Sequence, residues 1–513
     1  MRQALLLGID IGTTACKTVI VDQTGRIVDS EIEGYPLYSP RHGWSEQVPE
    51  DWWSAASKTV QRLMGRHPEA AISLAGIGLS GQMHGLVPLD RDGQVIRKAI
   101  LWNDQRTEAQ CAEITAKAGG AEALLALTNN RMLPGYTGGK ILWLRQHEPQ
   151  AYERMARFVN PKDYIRLRLT GELATEVSDA SGTGLFDVRA RAWSRTLFTL
   201  LDIPLEMAPT CYESVGVSGT VRAPVAEALG LPKGVPVVGG GGDAVIQTLG
   251  TGVTTSDVLM TTIGTAGIIS TAYESFRENP QGKLQVFCNV IPGRWHAMGV
   301  TLAAGGSLAW ALEVLGGAEA EVAEQSGLDA YELISREAEK SSVGAGGIVF
   351  LPYLIGERCP HVDPSARGAF VGLSLTSRKR DLYRSVLEGV IFSFRDVSEI
   401  FSSLGRDFRY IATSGGGAQS PLWRQIHADI FKKRVITVSG SIGGAAYGAA
   451  LVAGVGLKVW PNFETACRQL EIETDTAPNP EHYGLYDRHY GLYRSFYPLL
   501  KPGFTALSAG ASG

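Results

Sequence analysis

Two segments half a chain apart share one local pattern: a buried strand, a Gly-Thr turn and a second strand. Residues 4–10 (ALLLGID) form the short apolar run of a buried strand. Residues 17–22 and 26–33 read as two more strands, joined by the turn Asp22-Gln23-Thr24-Gly25. Gly12-Thr13-Thr14 therefore sits between the first strand and the second. At 257–273, DVLMTTI runs into Gly264-Thr265-Ala266-Gly267 and then IISTAY. A chain that repeats this unit reads as a duplicated architecture. The 513 residues support that reading, since single cores stop growing beyond roughly 250–300 residues. The segment GLPKGVPVVGGGG (230–242) interrupts any periodicity, and the domain junction is expected just after it. This gives domains 1–250 and 251–513.

The chain carries 61 glycines, where average usage of about 7 % would give roughly 36. They show no three-residue period, which excludes a collagen helix. An apolar content of 44 % excludes a disordered glycine-rich chain. The excess needs a structural or ligand-binding reason. Net charge is −4, so the strong positive field of a nucleic-acid binder is missing. The six cysteines (16, 111, 211, 288, 359 and 467) are scattered, with no metal-ligand spacing and no disulfide density. They read as reduced, buried thiols of a cytoplasmic protein. The apolar run Ala4 to Leu7 is too short for a signal-peptide core. No run of ~18 uncharged apolar residues predicts a membrane span.

Helices are legible in the second half. Leu382, Val386, Val390, Phe394, Val397 and Phe401 keep helical spacing, with Asp381 expected as the cap. Trp423, Ile426, Ile430 and Phe431 mark another helix. The last nine residues, TALSAGASG, are expected to fray.

Four motifs carry candidate chemistry. Asp10-Ile11-Gly12-Thr13-Thr14, with Lys17, places a carboxylate at a strand end before a Gly-Thr turn. Turn amides and hydroxyls suit phosphate oxygens, and the carboxylate suits hydrated Mg²⁺. The second turn, Gly264-Thr265, could clamp the same polyphosphate; the alternative for each is an ordinary tight turn. Gly239 to Gly242 leaves a backbone that ligands can approach closely and leads into Asp243, the ionisable group there and so a general-base candidate. Its alternative is a flexible hinge. A formal G-x-G-x-x-A match through Gly239, Gly241 and Ala244 lacks the βαβ unit and the later acid of a dinucleotide site, and no Walker loop occurs. Gly415-Gly416-Gly417-Ala418, between the strand YIAT and the Trp423 helix, allows flat contact with a base or ribose, or else a close strand–helix crossing. Ser80-Gly81-Gln82-Met83-His84-Gly85 and Leu101-Trp102-Asn103-Asp104 combine amides, a carboxylate, an imidazole and an indole. That mixture suits a polyol, with the indole on its C–H face; the alternative is a loop histidine and a core tryptophan. Nine histidines without an i, i+4 pair argue against zinc.

These residues resemble the FGGY carbohydrate kinases, of the actin/hexokinase/heat-shock-70 ATPase superfamily. The run Gly135 to His147 (GYTGGKILWLRQH) is similar to the first family signature at every specified position, and Gly368 to Glu388 (GAFVGLSLTSRKRDLYRSVLE) to the second. The resemblance extends from about Leu7 to about Leu457. It implies an α/β fold of two duplicated ribonuclease H-like domains, with an interdomain active-site cleft that closes to expel water. It further implies an N-terminal sugar-binding domain and a C-terminal nucleotide-binding domain. Gly81-Gln82-Met83-His84-Gly85 resembles the sugar loop of the family's D-xylulose-phosphorylating members; Leu101 to Asp104 and Pro161-Lys162-Asp163-Tyr164 are similar to theirs too.

The resemblance implies ATP and Mg²⁺ as cofactors. Asp243 would be the base and Asp10 the acid that organises Mg²⁺ through water. Thr13, Thr14, Lys17, Gly264 and Thr265 would hold the polyphosphate. Gly415, Gly416, Gly417 and Ala418 would line the adenosine site. Gln82, Met83, His84, Trp102 and Asp104, with Asp243, would bind the sugar. Family members usually carry Asn or Gln after the base, where this chain has Ala244, and Gly-Thr-Ser at the second turn, where it has Ala266. Gly440 to Gly444 lacks an acid often found there. Ribulose, an erythritol-like polyol and gluconate are the alternative substrates, and a non-kinase ATPase of the same superfamily is the rival from another class. A small-molecule sugar is the expected partner, with no nucleic acid or membrane and a homodimer as the candidate assembly.

Overall fold

The computed structural model describes residues 4–279, 281–405 and 407–510. The chain divides into two compact units that do not follow a single cut. The first holds the residues through Thr254 together with Ala272–Ala297 and Ile442–Glu471. The second holds Thr255–Thr271, Met298–Ser441 and the chain from Ile472 onward.

The first unit is built on β1 (Leu5–Ile11), β2 (Ala15–Asp22), β3 (Ile27–Gly34), β4 (Leu74–Gly81), β5 (Val217–Thr220) and β6 (Pro236–Val238). Their order is β5-β6-β4-β1-β2-β3, and Gly241–Gly242 adds a short seventh strand on the end of β4. β1 pairs antiparallel with β2 and parallel with β4; β6 runs parallel to β4 and antiparallel to β5. The first turn and three strands lie where the residue pattern places them.

The second unit repeats this wiring. It uses β7 (Val258–Ile263), β8 (Gly267–Tyr273), β9 (Tyr410–Ser414), β10 (Arg434–Val438) and β11 (Ile472–Thr476). β7 pairs antiparallel with β8 and parallel with β9; β10 runs parallel to β9 and antiparallel to β11. Both units therefore follow one scheme: a hairpin, two parallel crossovers and an antiparallel edge. The duplication inferred from two Gly-Thr turns extends to whole sheets.

Helix packing explains much of the glycine excess. One face of the first sheet is covered by α1 (Pro49–Arg66), which buries Trp52, Ala55, Ala56, Thr59, Val60, Leu63 and Met64 at helical spacing. α2 (Thr137–His147), α3 (Pro161–Thr170), α4 (Val177–Ser181) and α5 (Asp243–Gly250) follow in the chain. Leu7, Ile9, Ile11, Leu79, Ile165 and Leu169 join α1 in one core. On the other face, two strand glycines meet helix backbone directly. A Cβ on Gly8 would stand 1.9 Å from the carbonyl oxygen of Ala446, and one on Gly78 1.9 Å from that of Ala449. Both carbonyls belong to α6 (Gly440–Gly456), broken at Gly444 (φ 58°). Only glycine on the strands lets a helix lie this close.

Two local expectations change. The helix expected to begin at Asp381 spans Lys379–Ser403 and is capped at Arg378. Asp381 sits inside its first turn, where its carboxylate accepts the Arg378 N–H at 2.8 Å and favours the positive helix end. The tail expected to fray continues the helix Tyr483–Gly510, where Phe504 is buried; residues 511–513 lie outside the described residues. Among the described residues, no helix is long and apolar enough to cross a membrane. The six cysteines form no disulfide; Cys211 and Cys467 are half-buried and the other four buried.

Candidate active site

Asp10 lies next to the end of β1, flanked in register by Ser80 on β4 and Lys17 on β2. Burial pushes its carboxyl up to about 6, while the Ser80 hydroxyl and the Lys17 ammonium pull it back. Its Oδ1 is buried and takes no hydrogen bond. A buried carboxylate oxygen with no donor is costly unless a cation or water completes it. The turn after it is fixed from outside. Tyr35 Oη donates to Gly12 O at 2.5 Å, Gln47 Nε2 to Thr13 O at 2.7 Å, and Trp102 Nε1 to Thr13 Oγ1 at 3.0 Å. Thr14 is exposed at the tip and Lys17 half-buried on the strand.

The four glycines before Asp243 are not a hinge. Gly240 has φ +73° and a Cβ there would stand 2.0 Å from Leu79 O. A Cβ on Gly239 would meet the carbonyl oxygens of Glu213 and Ser214 at 2.8 Å, one on Gly241 Val290 at 2.5 Å, and one on Gly242 Met83 Cγ at 2.5 Å. The run is thus tightly packed protein rather than backbone left open to a ligand, because four side chains have no room. It delivers Asp243 to the first turn of α5. Burial, helped by the charge of Asp10, pushes the Asp243 carboxyl up to about 7; the amides of Ala244, Met83 and Asp243 itself pull it back. The Ala244 N–H lies 2.8 Å from Oδ1.

Beneath this run sits a charge cluster that the residue pattern did not single out. Arg166, fully buried on α3, donates to the carbonyl oxygens of Val238 at 2.9 Å and Gly239 at 2.5 Å. Its partner Asp163 also receives Lys162 Nζ at 2.6 Å, and that ammonium lies 3.2 Å from Asp179 and 3.5 Å from Glu176. Glu176 accepts Ser178 N and Oγ and Asp179 N, each at 2.8 Å, and Ser214 Oγ at 2.6 Å. Ser178 Oγ in turn accepts the Gly242 N–H at 3.0 Å. The glycine run is therefore held at Val238, Gly239 and Gly242. Three charges in PKDYIR, within a helix that packs on a core, were the available signal; their partners come from elements too far along the chain to be read.

Met83 and His84 sit beside the base. Met83 is buried against Gly242. His84 has φ 69°, and its Nδ1 donates to Gly182 O at 2.6 Å, so the neutral ring keeps Nε2 as acceptor. The ring lies 4.7 Å from that of Tyr136 and 5.8 Å from that of Phe287. Trp102 is half-buried on the neighbouring loop. Two expected sugar ligands also engage the protein. Asp104 is fully buried; it accepts Ser45 N at 2.6 Å, Arg106 N at 3.0 Å and two Arg106 side-chain donors at 2.7 and 2.9 Å. Its carboxylate braces the loop. Gln82 is likewise fully buried, its Nε2 donating to Gln47 Oε1 at 2.8 Å, while its own Oε1 takes no hydrogen bond among the described residues. Lys140, on α2, reaches the same region: Nζ donates to His84 O at 2.8 Å and Gly135 O at 2.6 Å. Burial pushes its ammonium down to about 7, and Asp104 pulls it back up.

In the second unit, the turn Gly264-Thr265 has its carbonyls capped. Ala304 N and Gly306 N donate to Thr265 O at 2.9 and 3.0 Å, and Gly305 N to Gly264 O at 2.7 Å. Those donors open the helix Gly305–Leu315. The Thr265 side chain is exposed. At the third glycine cluster, Gly415 (φ +86°) and Gly417 press on Ile263, whereas Gly416 is exposed with nothing within 4 Å of a Cβ. Ala418 is buried.

The first unit holds a carboxylate pair, Asp10 and Asp243, beside a strand hairpin, and the second unit repeats the Gly-Thr hairpin in a sheet of the same wiring. The chain belongs to the FGGY family of carbohydrate kinases: it matches that family's N-terminal domain over residues 5–250 and its C-terminal domain over residues 259–457. It is 38 % identical over 486 residues to a xylulose kinase of Lactococcus lactis, covering 94 % of each chain. It is 30 % identical over 433 residues to a gluconokinase of Bacillus subtilis, covering 84 % of this chain and 83 % of that one. The crystal structure of a ligand-bound xylulose kinase from Lactobacillus acidophilus superposes with a TM-score of 0.91 at 26 % identity, covering 98 % of this chain and all of the other.

Proposed function

We propose that the protein transfers the γ-phosphoryl group of ATP to a hydroxyl of D-xylulose, giving D-xylulose 5-phosphate. The observation that carries this is the sugar loop locked against the base: Met83 packs on Gly242 and its amide reaches Asp243. The extent of similarity to xylulose kinases supports the choice of sugar over gluconate. Phosphoryl transfer needs positioning and charge neutralisation more than covalent chemistry. Asp243 accepts the proton of the sugar hydroxyl; a well-placed base contributes ~10²–10⁴ in rate. Its carboxyl, raised to about 7, suits a base that takes up a proton near neutrality. His84 and Met83 hold the sugar from one side, and the Trp102 indole covers its C–H face.

The donor set at Asp10 fits a hydrated Mg²⁺, because Oδ1 is buried and without a hydrogen-bond donor. Asp10 would hold that ion through water, and the ion supplies charge neutralisation on phosphate oxygens when bound. In the first unit Thr13, Thr14 and Lys17 are assigned to phosphate, and in the second Gly264 and Thr265 are assigned to phosphate. The open surface at Gly416, between Gly415 and Gly417, serves the adenosine, with the buried Ala418 shaping the turn beneath it. We assign the domain of residues 1–250 to sugar binding and that of 251–513 to nucleotide binding, with Ala272–Ala297 and Ile442–Glu471 belonging to the first unit, and a homodimer as the assembly. A coupled ADP-release assay with ATP and Mg²⁺ across D-xylulose, ribulose, erythritol and gluconate tests the reading. D-xylulose should give the highest kcat/KM. Sugar-independent ATP hydrolysis would favour a non-kinase ATPase instead.

A further inference from the structure

Lys140 is fully buried, yet no carboxylate lies within 4 Å of its ammonium among the described residues. Its partners are two carbonyl oxygens, those of His84 and Gly135. An ammonium buried on carbonyls alone is a costly way to fill a core, where an apolar side chain of similar length would serve. The two carbonyls are not ordinary ones. His84 adopts the left-handed backbone region, which is uncommon for a residue with a side chain. Its carbonyl oxygen takes a second donor, Thr137 Oγ1, at 3.0 Å. Next to it, Asn160 Nδ2 donates to Gly85 O at 2.8 Å. Gly135 is the other anchor: a Cβ there would stand 2.4 Å from Trp102 O. One ammonium thus ties the loop that carries His84 to the chain on which the Trp102 loop rests.

We infer that Lys140 is a positioning residue for the sugar: by holding His84 and Gly135 together it fixes His84 and Trp102 at the spacing that sugar recognition needs. This rests on the reading of Met83 and His84 as the sugar loop. The role is separate from chemistry, since Lys140 touches neither Asp243 nor Asp10. Thr137 shares the His84 carbonyl and is the weaker member of the same brace.

Steady-state kinetics of Lys140→Met, with His84→Ala as reference, tests it. Met keeps the length of the side chain and removes its donors. The Michaelis constant for D-xylulose should rise about tenfold, the worth of a hydrogen bond from a charged donor. That for ATP should stay within about twofold. In Lys140→Ala, added methylammonium should bring the sugar constant back toward wild type, a rescue that a purely structural filler would not show. A folded Lys140→Met with unchanged sugar affinity, while His84→Ala loses it, overturns the inference and leaves the sugar loop standing. Equal losses for sugar and ATP overturn it as well. If neither variant moves the sugar constant, the sugar-loop reading falls with it. Should Lys140→Met fail to fold, Thr137→Val is judged by the same split.

Discussion

The negative charge of Asp10 raises the proton affinity of Asp243, second only to burial in doing so. Asp243 acts as base only when ionised, so kcat/KM for the sugar should rise with pH through about 7. Removing the charge in Asp10→Asn should move that limb to lower pH while reducing the rate. The pH profile of the residual activity checks this, and an unmoved limb would show that the two charges do not communicate.

Asp243 should also depress stability above neutrality. Its folded carboxyl, at about 7, binds its proton more tightly than the unfolded one at 3.8. Between those values the folded state holds more protons, so stability falls as pH rises through the window. Asp243→Asn should therefore be more stable than wild type at pH 8 by roughly 1–3 kcal/mol and melt at a higher temperature, with the gain vanishing near pH 4. Melts without ATP or Mg²⁺ measure this. The same variant, like Asp243→Ala, should phosphorylate no sugar; wild-type turnover by either would remove Asp243 from the reaction.

His84→Ala should raise the Michaelis constant for sugar about tenfold or more and leave that for ATP nearly unchanged. The ring is held by Gly182 O and by the faces of Tyr136 and Phe287, so its loss frees one side of the sugar and touches no phosphate-binding turn. Initial-rate measurements with each substrate varied in turn separate the two constants.

Gly240→Ala should destabilise the protein by about 2–4 kcal/mol, combining left-handed backbone strain with overpacking. Its added carbon would stand 2.0 Å from Leu79 O, and β4 cannot withdraw without disturbing the sheet. Thermal denaturation gives the loss. Because the displaced segment carries Asp243, kcat should fall as well.

Much of this architecture was legible in residue order. Strand–turn–strand units are local, and ALLLGID, VPVV and DVLMTTI declare themselves through short apolar runs. The helix with Leu382 and Phe401 declares itself by period. Glycine was harder to interpret. Gly239 to Gly242 reads as open backbone in one dimension and proves to be filled by Leu79, Val290 and Met83, residues set far away in the chain. The polar members of the site divide for the same reason. Whether Asp104 faces a sugar or a guanidinium depends on Ser45 and Arg106 folding over it, and composition cannot tell a carboxylate that binds from one that braces. Arg166, Lys162 and Glu176 were invisible as a group, because a buried charge is recognised by its partners.

The seating of α6 on the glycines of β1 and β4 has a consequence for synthesis. Gly8 and Gly78, on one face of the first sheet, receive their cover from Ala446 and Ala449, which leave the ribosome when nearly nine-tenths of the chain has been made. The N-terminal half must wait for that cover until almost the last stretch has been translated. Folding of this enzyme cannot proceed strictly from front to back. A chain arrested before residue 440 would be incomplete in its first half as well as its second.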